Sequence, residues 1–208
     1  MSDSSVSTAG RPRIDSSKRT WLIASGCAGA VGGVAVAIPF VSSFEPSEKA
    51  KAAGAPVEAD ISALKMGEKM TVEWRGKPVW ILKRTPEMLA SLKKTDALVA
   101  DPNSERKAYP TPDYAKNEHR SIKPEVWVGV GICTHLGCSP TDRLQSGPQP
   151  SLPDDWQGGF LCPCHGSTFD LAGRVFRNKP APDNLEVPPH TYLSDTRLII
   201  GEDKNNKG

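Results

Sequence analysis

Two short boxes set the strongest constraint on how this chain can fold. They are Cys133-Thr134-His135-Leu136-Gly137-Cys138 and Cys162-Pro163-Cys164-His165-Gly166-Ser167. Each puts one Cys and one His at close spacing, Cys-x-His in the first and Cys-x-x-His in the second, and each carries one further Cys. Two thiolates and two imidazoles are the ligand set of a mixed-ligand 2Fe–2S centre, with the sulfurs on one iron and the ring nitrogens on the other. They are also the inventory of a structural Cys2His2 zinc site. A zinc knuckle gives no reason for Cys138 and Cys164 immediately beside the ligand pairs, nor for the glycines and prolines around them. Gly137, Gly166 and Pro163 suit tight turns that aim backbone N–H groups at inorganic sulfide. The boxes read as iron–sulfur.

The ligand types carry a redox consequence. A cluster held by four thiolates is negative, and an added electron makes it more so. Two neutral imidazoles in place of two thiolates remove that charge, and the potential rises by several hundred millivolts. The free ring N–H of such an imidazole lies in front of ferric iron, which lowers its pKa, so an electron and a proton are taken up together.

The boxes, with the downstream run Pro180-Ala-Pro-Asp-Asn-Leu-Glu-Val-Pro-Pro-His190, resemble the Rieske iron–sulfur proteins. The likeness is to the quinol-oxidising kind found in bacterial cytochrome bc complexes (ubiquinol–cytochrome c reductases). It implies a mainly β fold, an antiparallel Rieske domain with an inserted cluster-binding subdomain, and one 2Fe–2S cluster. Carried over position by position, it makes Cys133 and Cys162 ligands of the buried iron and His135 and His165 ligands of the outer iron. Cys138 and Cys164 become a disulfide. Ser167 matches a hydroxyl donor to a bridging sulfur, and Leu136 lies on the face that docks at a quinol pocket. The run through Pro180 resembles a loop that covers the cluster. Phe169 stands where many members of the mitochondrial type carry a Tyr that donates to a ligand sulfur. His119 and His190 fall outside both boxes and read as ordinary surface or hydrogen-bonded histidines.

The resemblance also implies the work. His165, with His135 as its less exposed partner, would meet quinol at a pocket of cytochrome b, and the electron would pass to a c-type cytochrome within a dimeric complex. A rival from another class is the soluble Rieske subunit of a periplasmic oxidase such as arsenite oxidase, with its apolar segment removed. Ferredoxin and oxygenase Rieske domains are disfavoured because they usually lack the second Cys pair.

With 208 residues and a net charge of +2, the chain has room for one domain plus appendages and no nucleic-acid footprint. Of its 5 cysteines, four lie in the boxes and Cys27 lies in the only long apolar segment, where it reads as an inert small residue. From Thr20 to Phe44 there is no charge, enough to cross a bilayer core of about 30 Å. Gly29 and Gly33 have the spacing that lets membrane helices pack closely. Ser16-Ser17-Lys18-Arg19-Thr20-Trp21-Leu22 resembles a twin-arginine export signal with Lys in the first Arg place. Export of a folded, filled cluster protein requires such a route, and the basic flank keeps the N-terminus cytoplasmic. A periplasm tolerates the disulfide. Ala50-Lys-Ala52 and Ala53-Gly-Ala55 are possible cleavage sites, but retention as a signal-anchor in the inner membrane is the expectation.

The expected organisation is a cytoplasmic tail over 1–19, a membrane helix over 20–43, a hinge over 44–56 and a periplasmic domain over 57–208, its cluster-binding part about 130–183. The hinge, fully extended, would reach on the order of 40 Å. Alternation at Met70, Val72 and Trp74, a turn at Arg75-Gly76-Lys77 and the run Val79–Leu82 predict a hairpin. Thr85-Pro86 predicts a helix start, with the helix reaching about Lys93. Val126–Val130 and Phe160-Leu161 predict strands that enter the boxes, 171–174 and 194–195 predict turns, and 139–159 reads as a surface loop.

Overall fold

In the computed structural model, which describes residues 15–47 and 54–203, the chain divides into two units, 1–49 and 50–208. The first holds helix α1, Ser16–Ser42, whose Asp15 cap accepts from the backbone N–H of Ser17 and Lys18 at 3.1 and 3.3 Å. The cap starts the helix ahead of the apolar run, so the helix begins at Ser16 rather than at residue 20. Its mean hydropathy reaches 1.9 and every described residue of it is exposed, an apolar exterior suited to lipid. Residues 1–14 of the tail, 48–53 of the hinge and the cleavage site at 50–52 lie outside the described residues.

Among the described residues, the second unit holds three antiparallel three-stranded sheets. The base sheet orders β1 (Val57–Asp60), β9 (Arg197–Ile200) and β8 (His190–Tyr192). The middle sheet orders β2 (Lys69–Trp74), β3 (Lys77–Lys83) and β4 (Val126–Val130). The third sheet orders β5 (Thr141–Arg143), β6 (Gly159–Leu161) and β7 (Thr168–Asp170), and is inserted between β4 and β8 in the chain. Arg75 and Gly76 turn the β2–β3 hairpin with φ of 51° and 70°, the left-handed pair that matches strand twist.

The period of two along β3 and β4 separates two cores. Val79 and Ile81 with Val126, Val128 and Val130 pack against Ala59, Trp74, Leu198 and Ile200 on the base side. Trp80, Leu82 and Trp127 face the other way, into a core with Phe160, Phe169, Leu171, Cys133 and Cys162. Trp80 stacks on Phe160 with ring centroids 5.0 Å apart, and Trp127 lies 5.5 Å from the same ring. Gly129 and Gly131 make room for the rings, since a Cβ at either would collide with Trp127 or Trp80 respectively.

Helix α2, Pro86–Thr95, is capped by the Thr85 hydroxyl, which accepts from Met88 N–H, and runs two residues past Lys93. The segment over 139–159 is not a surface loop throughout. Thr141–Arg143 adds β5 to the edge of β6, and Trp156 is buried with its Nε1 donating to the Arg143 carbonyl at 2.8 Å. Burying one indole and pairing one exposed strand edge gave this polar stretch a fixed path.

Candidate metal centre

The strands deliver both boxes to one end of the second unit: β4 runs into the first, and β6 leads into the second with β7 leaving it. The two loops share one backbone frame. Cys133 N–H donates to the Cys138 carbonyl at 2.8 Å and Gly137 N–H to the Cys133 carbonyl at 3.0 Å. In the second loop Cys162 N–H donates to the Ser167 carbonyl at 2.7 Å and Gly166 N–H to the Cys162 carbonyl at 3.0 Å. Gly137 and Gly166 hold the equivalent left-handed corner, at φ of 83° and 73°. The side chains are permuted on that frame: its third place carries His135 or Cys164, its fourth Leu136 or His165, and its sixth Cys138 or Ser167.

The functional side chains converge. Cys133 and Cys162 are buried free thiols at 2 % and 1 % exposure. The rings of His135 and His165 meet edge to face, centroids 4.7 Å apart, with His135 half-buried and His165 exposed. Cys138 and Cys164 form a disulfide across the loops. Its sulfurs and the Cys162 sulfur lie within 4.8 Å of one another, and only the Cys162 sulfur among them is free to ligate. Leu136 projects at 71 % exposure beside the imidazoles.

A third segment closes the site. Ser167 is fully buried, and its Oγ accepts from Ala181 N–H at 2.9 Å, which leaves the hydroxyl proton free to point at sulfur. The Thr134 hydroxyl donates to the Asp183 carbonyl at 2.6 Å. Pro180, exposed itself, thus belongs to a run tied to both loops. His190 is buried in β8, with Nδ1 2.8 Å from the Pro188 carbonyl, and His119 lends its carbonyl to Arg84. Neither histidine joins the boxes.

The residues fit a 2Fe–2S group. Nδ1 of His135 is buried without a hydrogen-bond partner, an arrangement that a metal bond would satisfy. Burial pushes the Cys133 thiol up, and the adjacent Cys162 thiol does the same, while the His135 backbone N–H and the Ser167 hydroxyl act the other way. Two crowded, buried sulfurs supplied with hydrogen-bond donors suit a metal that makes both thiolates.

Behind the loops lies a layer that the sequence did not announce. Arg84 and Arg120 are buried and bond chiefly to carbonyls: Arg84 reaches Leu171, His119 and Pro124, and Arg120 reaches Ala172, Gly173 and Leu185. Burial pushes the guanidinium of Arg84 down to about 9 and that of Arg120 to about 10. Arg174 pairs with buried Asp170 at 2.8 Å and also holds the Leu92 carbonyl at the end of α2. The i, i+4 spacing of Asp170 and Arg174 across a turn was a usable signal for that pair. Nothing in one sequence marks Arg84, Arg120 or Thr134.

Residues 113–189 match the Rieske [2Fe-2S] domain family. The chain is 57 % identical over 189 residues to the ubiquinol-cytochrome c reductase iron-sulfur subunit of Allochromatium vinosum, covering 91 % of this chain and 90 % of that one. The chain belongs to the Rieske iron–sulfur subunit family. The subunit of the same name from Bradyrhizobium diazoefficiens is 40 % identical over 181 residues, 86 % of this Rieske chain and 90 % of its own length. Among solved structures, a chain of a hyperthermophilic respiratory Complex III aligns at TM-score 0.45 and 28 % identity, over 85 % of this chain and 97 % of that one. Residues 19–47 match the family described as the reductase Fe-S subunit TAT signal, which overlies α1 and fits a membrane anchor. These relatives favour a Rieske subunit of the reductase kind, with one 2Fe–2S cluster, over the arsenite-oxidase alternative.

Proposed function

We propose that this chain is the catalytic redox subunit of a ubiquinol–cytochrome c reductase. In this reading it takes one electron and one proton from quinol at a cytochrome b pocket and hands the electron to a c-type cytochrome. The observation that carries the proposal is the tip itself: exposed His165 packed edge-on against half-buried His135, beside Leu136 and above two buried free thiols.

Cys133 and Cys162 would hold the inner iron, and His135 and His165 the outer one. When bound, the cluster supplies a one-electron acceptor of raised potential. His135 turns its buried Nδ1 inward, and in this reading His165 would likewise bind through Nδ1. Nε2 of His165 is then the atom that accepts the quinol hydroxyl's hydrogen bond and proton. Leu136 supplies an apolar contact that excludes water from that bond, and the run through Pro180 keeps solvent from the sulfurs. Release of the Nε2 proton to the periplasm would couple electron flow to proton translocation. The reading includes a signal-anchor over 20–43 with its N-terminus cytoplasmic, a hinge over 44–56, and assembly in a dimeric complex.

The test is EPR of reduced membranes from producing cells, with and without a quinol-site inhibitor. A mixed-ligand 2Fe–2S signal that shifts with inhibitor is expected. Stoichiometric zinc or a four-thiolate spectrum would overturn the ligand set, and quinol oxidation by a His165→Ala variant would overturn the role of its ring.

A further inference from the structure

Of the side chains that β2 contributes toward the cluster-bearing core, Lys69 is the one held at its edge. Its side chain is 14 % exposed, with Nζ 3.8 Å from the Trp80 ring centroid and 5.9 Å from that of Phe160. The same ammonium hydrogen-bonds Oδ1 of Asp142 on β5, whose side chain is 43 % exposed. Among the described residues no backbone ladder joins the middle and third sheets, so this ion pair adds to the side-chain packing that spans the seam. The pair is polarised. Its positive end lies inward on two ring faces, which favour a cation, and its negative end lies outward in water. Phe160 is two residues ahead of Cys162, and Trp80, Phe160, Cys133 and Cys162 share one buried core.

We infer that Lys69 is a positioning residue that holds a positive charge against the aromatic floor of the cluster site and raises the cluster's reduction potential. Reduction adds one negative charge to that site. A nearby cation on the low-dielectric side favours the reduced form, and Asp142 does not cancel it because water screens the more exposed partner further. Nothing in the proposed quinol chemistry requires this residue, which acts through the equilibrium of electron uptake. The inference rests on the assignment of Cys133 and Cys162 as cluster ligands.

The test is a redox titration of the full-length protein in detergent, followed by the cluster's circular dichroism, with thermal unfolding measured in parallel. Lys69→Met keeps an unbranched apolar stem over Trp80 and removes the charge. It is expected to lower the reduction equilibrium constant about threefold to tenfold, or ~30 to 60 mV at 59 mV per decade. Asp142→Asn leaves the ammonium without its screening partner and is expected to raise the constant, and Lys69→Arg is expected to stay close to the parent protein. A seam clamp without electrostatic influence would lower the unfolding temperature in Lys69→Met and Asp142→Asn and leave both potentials in place. Shifts of the same sign, or no shift with the cluster intact, overturn the inference. If Lys69→Met fails to hold a cluster, the sign for Asp142→Asn decides alone: a rise supports the inference and its absence refutes it. A parent protein without a mixed-ligand signal would refute the ligand assignment instead.

Discussion

At the residue scale, Phe169 carries an expectation about the cluster's potential that rests on one absent atom. It is fully buried, pairs across the ladder with Phe160, and has no hydroxyl to offer a ligand sulfur. If a tyrosine there donated one hydrogen bond worth about 1 kcal/mol to the reduced state, the one-electron potential would rise by about 40 mV. Phe169→Tyr is therefore expected to raise the midpoint in a redox titration, and an unchanged midpoint would place the residue in packing alone. The boxes made the donor types legible because sulfur and imidazole at that spacing have few other uses. The buried arginines were not legible. An Arg is ordinarily read as a surface residue, and only the folded backbone brings the carbonyls of residues 119, 124, 171–173 and 185 around Arg84 and Arg120.

Among elements, the turn that closes β7 bears the most. Asp170 accepts from the N–H groups of Ala172 and Arg174 at 2.9 and 2.8 Å, from Arg174 Nε at 2.8 Å and from the Thr95 hydroxyl at 3.1 Å. It thereby fastens the C-terminal end of α2 to the hairpin behind the second box. Asp170→Ala would leave Arg174 buried at 1 % exposure with only the half-exposed Asp96 as counter-ion, and is expected to cost about 3–5 kcal/mol. Urea unfolding measures that cost directly. The disulfide closes a loop of 26 residues and is expected to add about 3–4 kcal/mol by restricting the unfolded chain, which paired alanines at 138 and 164 would remove. The β2–β3 hairpin and the start of α2 were readable from local chemistry, a left-handed turn pair and a Thr cap. The edge strand β5 was not readable, because its three polar residues gain strand form from β6 and not from their own pattern.

On the scale of the whole molecule, the second unit should lose stability in acid before its carboxylates titrate. His190 is buried and burial pushes its pKa down, opposed by the Pro188 carbonyl; His119, partly buried, shifts in the same direction. The folded pKa lies below the unfolded value of about 6.5, so the unfolded chain binds more protons once the pH drops under that value. Stability is full above about pH 6.5 and declines as the pH falls toward the folded pKa. Urea midpoints taken between pH 8 and pH 5 should show that decline, and His190→Gln should flatten it; an unaltered slope would assign the decline to other groups.

The shared loop frame has a last consequence. Because the backbone repeats while its contents change places, repetition of shape yields no repetition of role: one ring is sheltered and its neighbour stands at the rim beside a leucyl knob. In the proposed role, a visitor arriving head-on would meet a doorway with a single handle, and its orientation would be chosen before any electron moves.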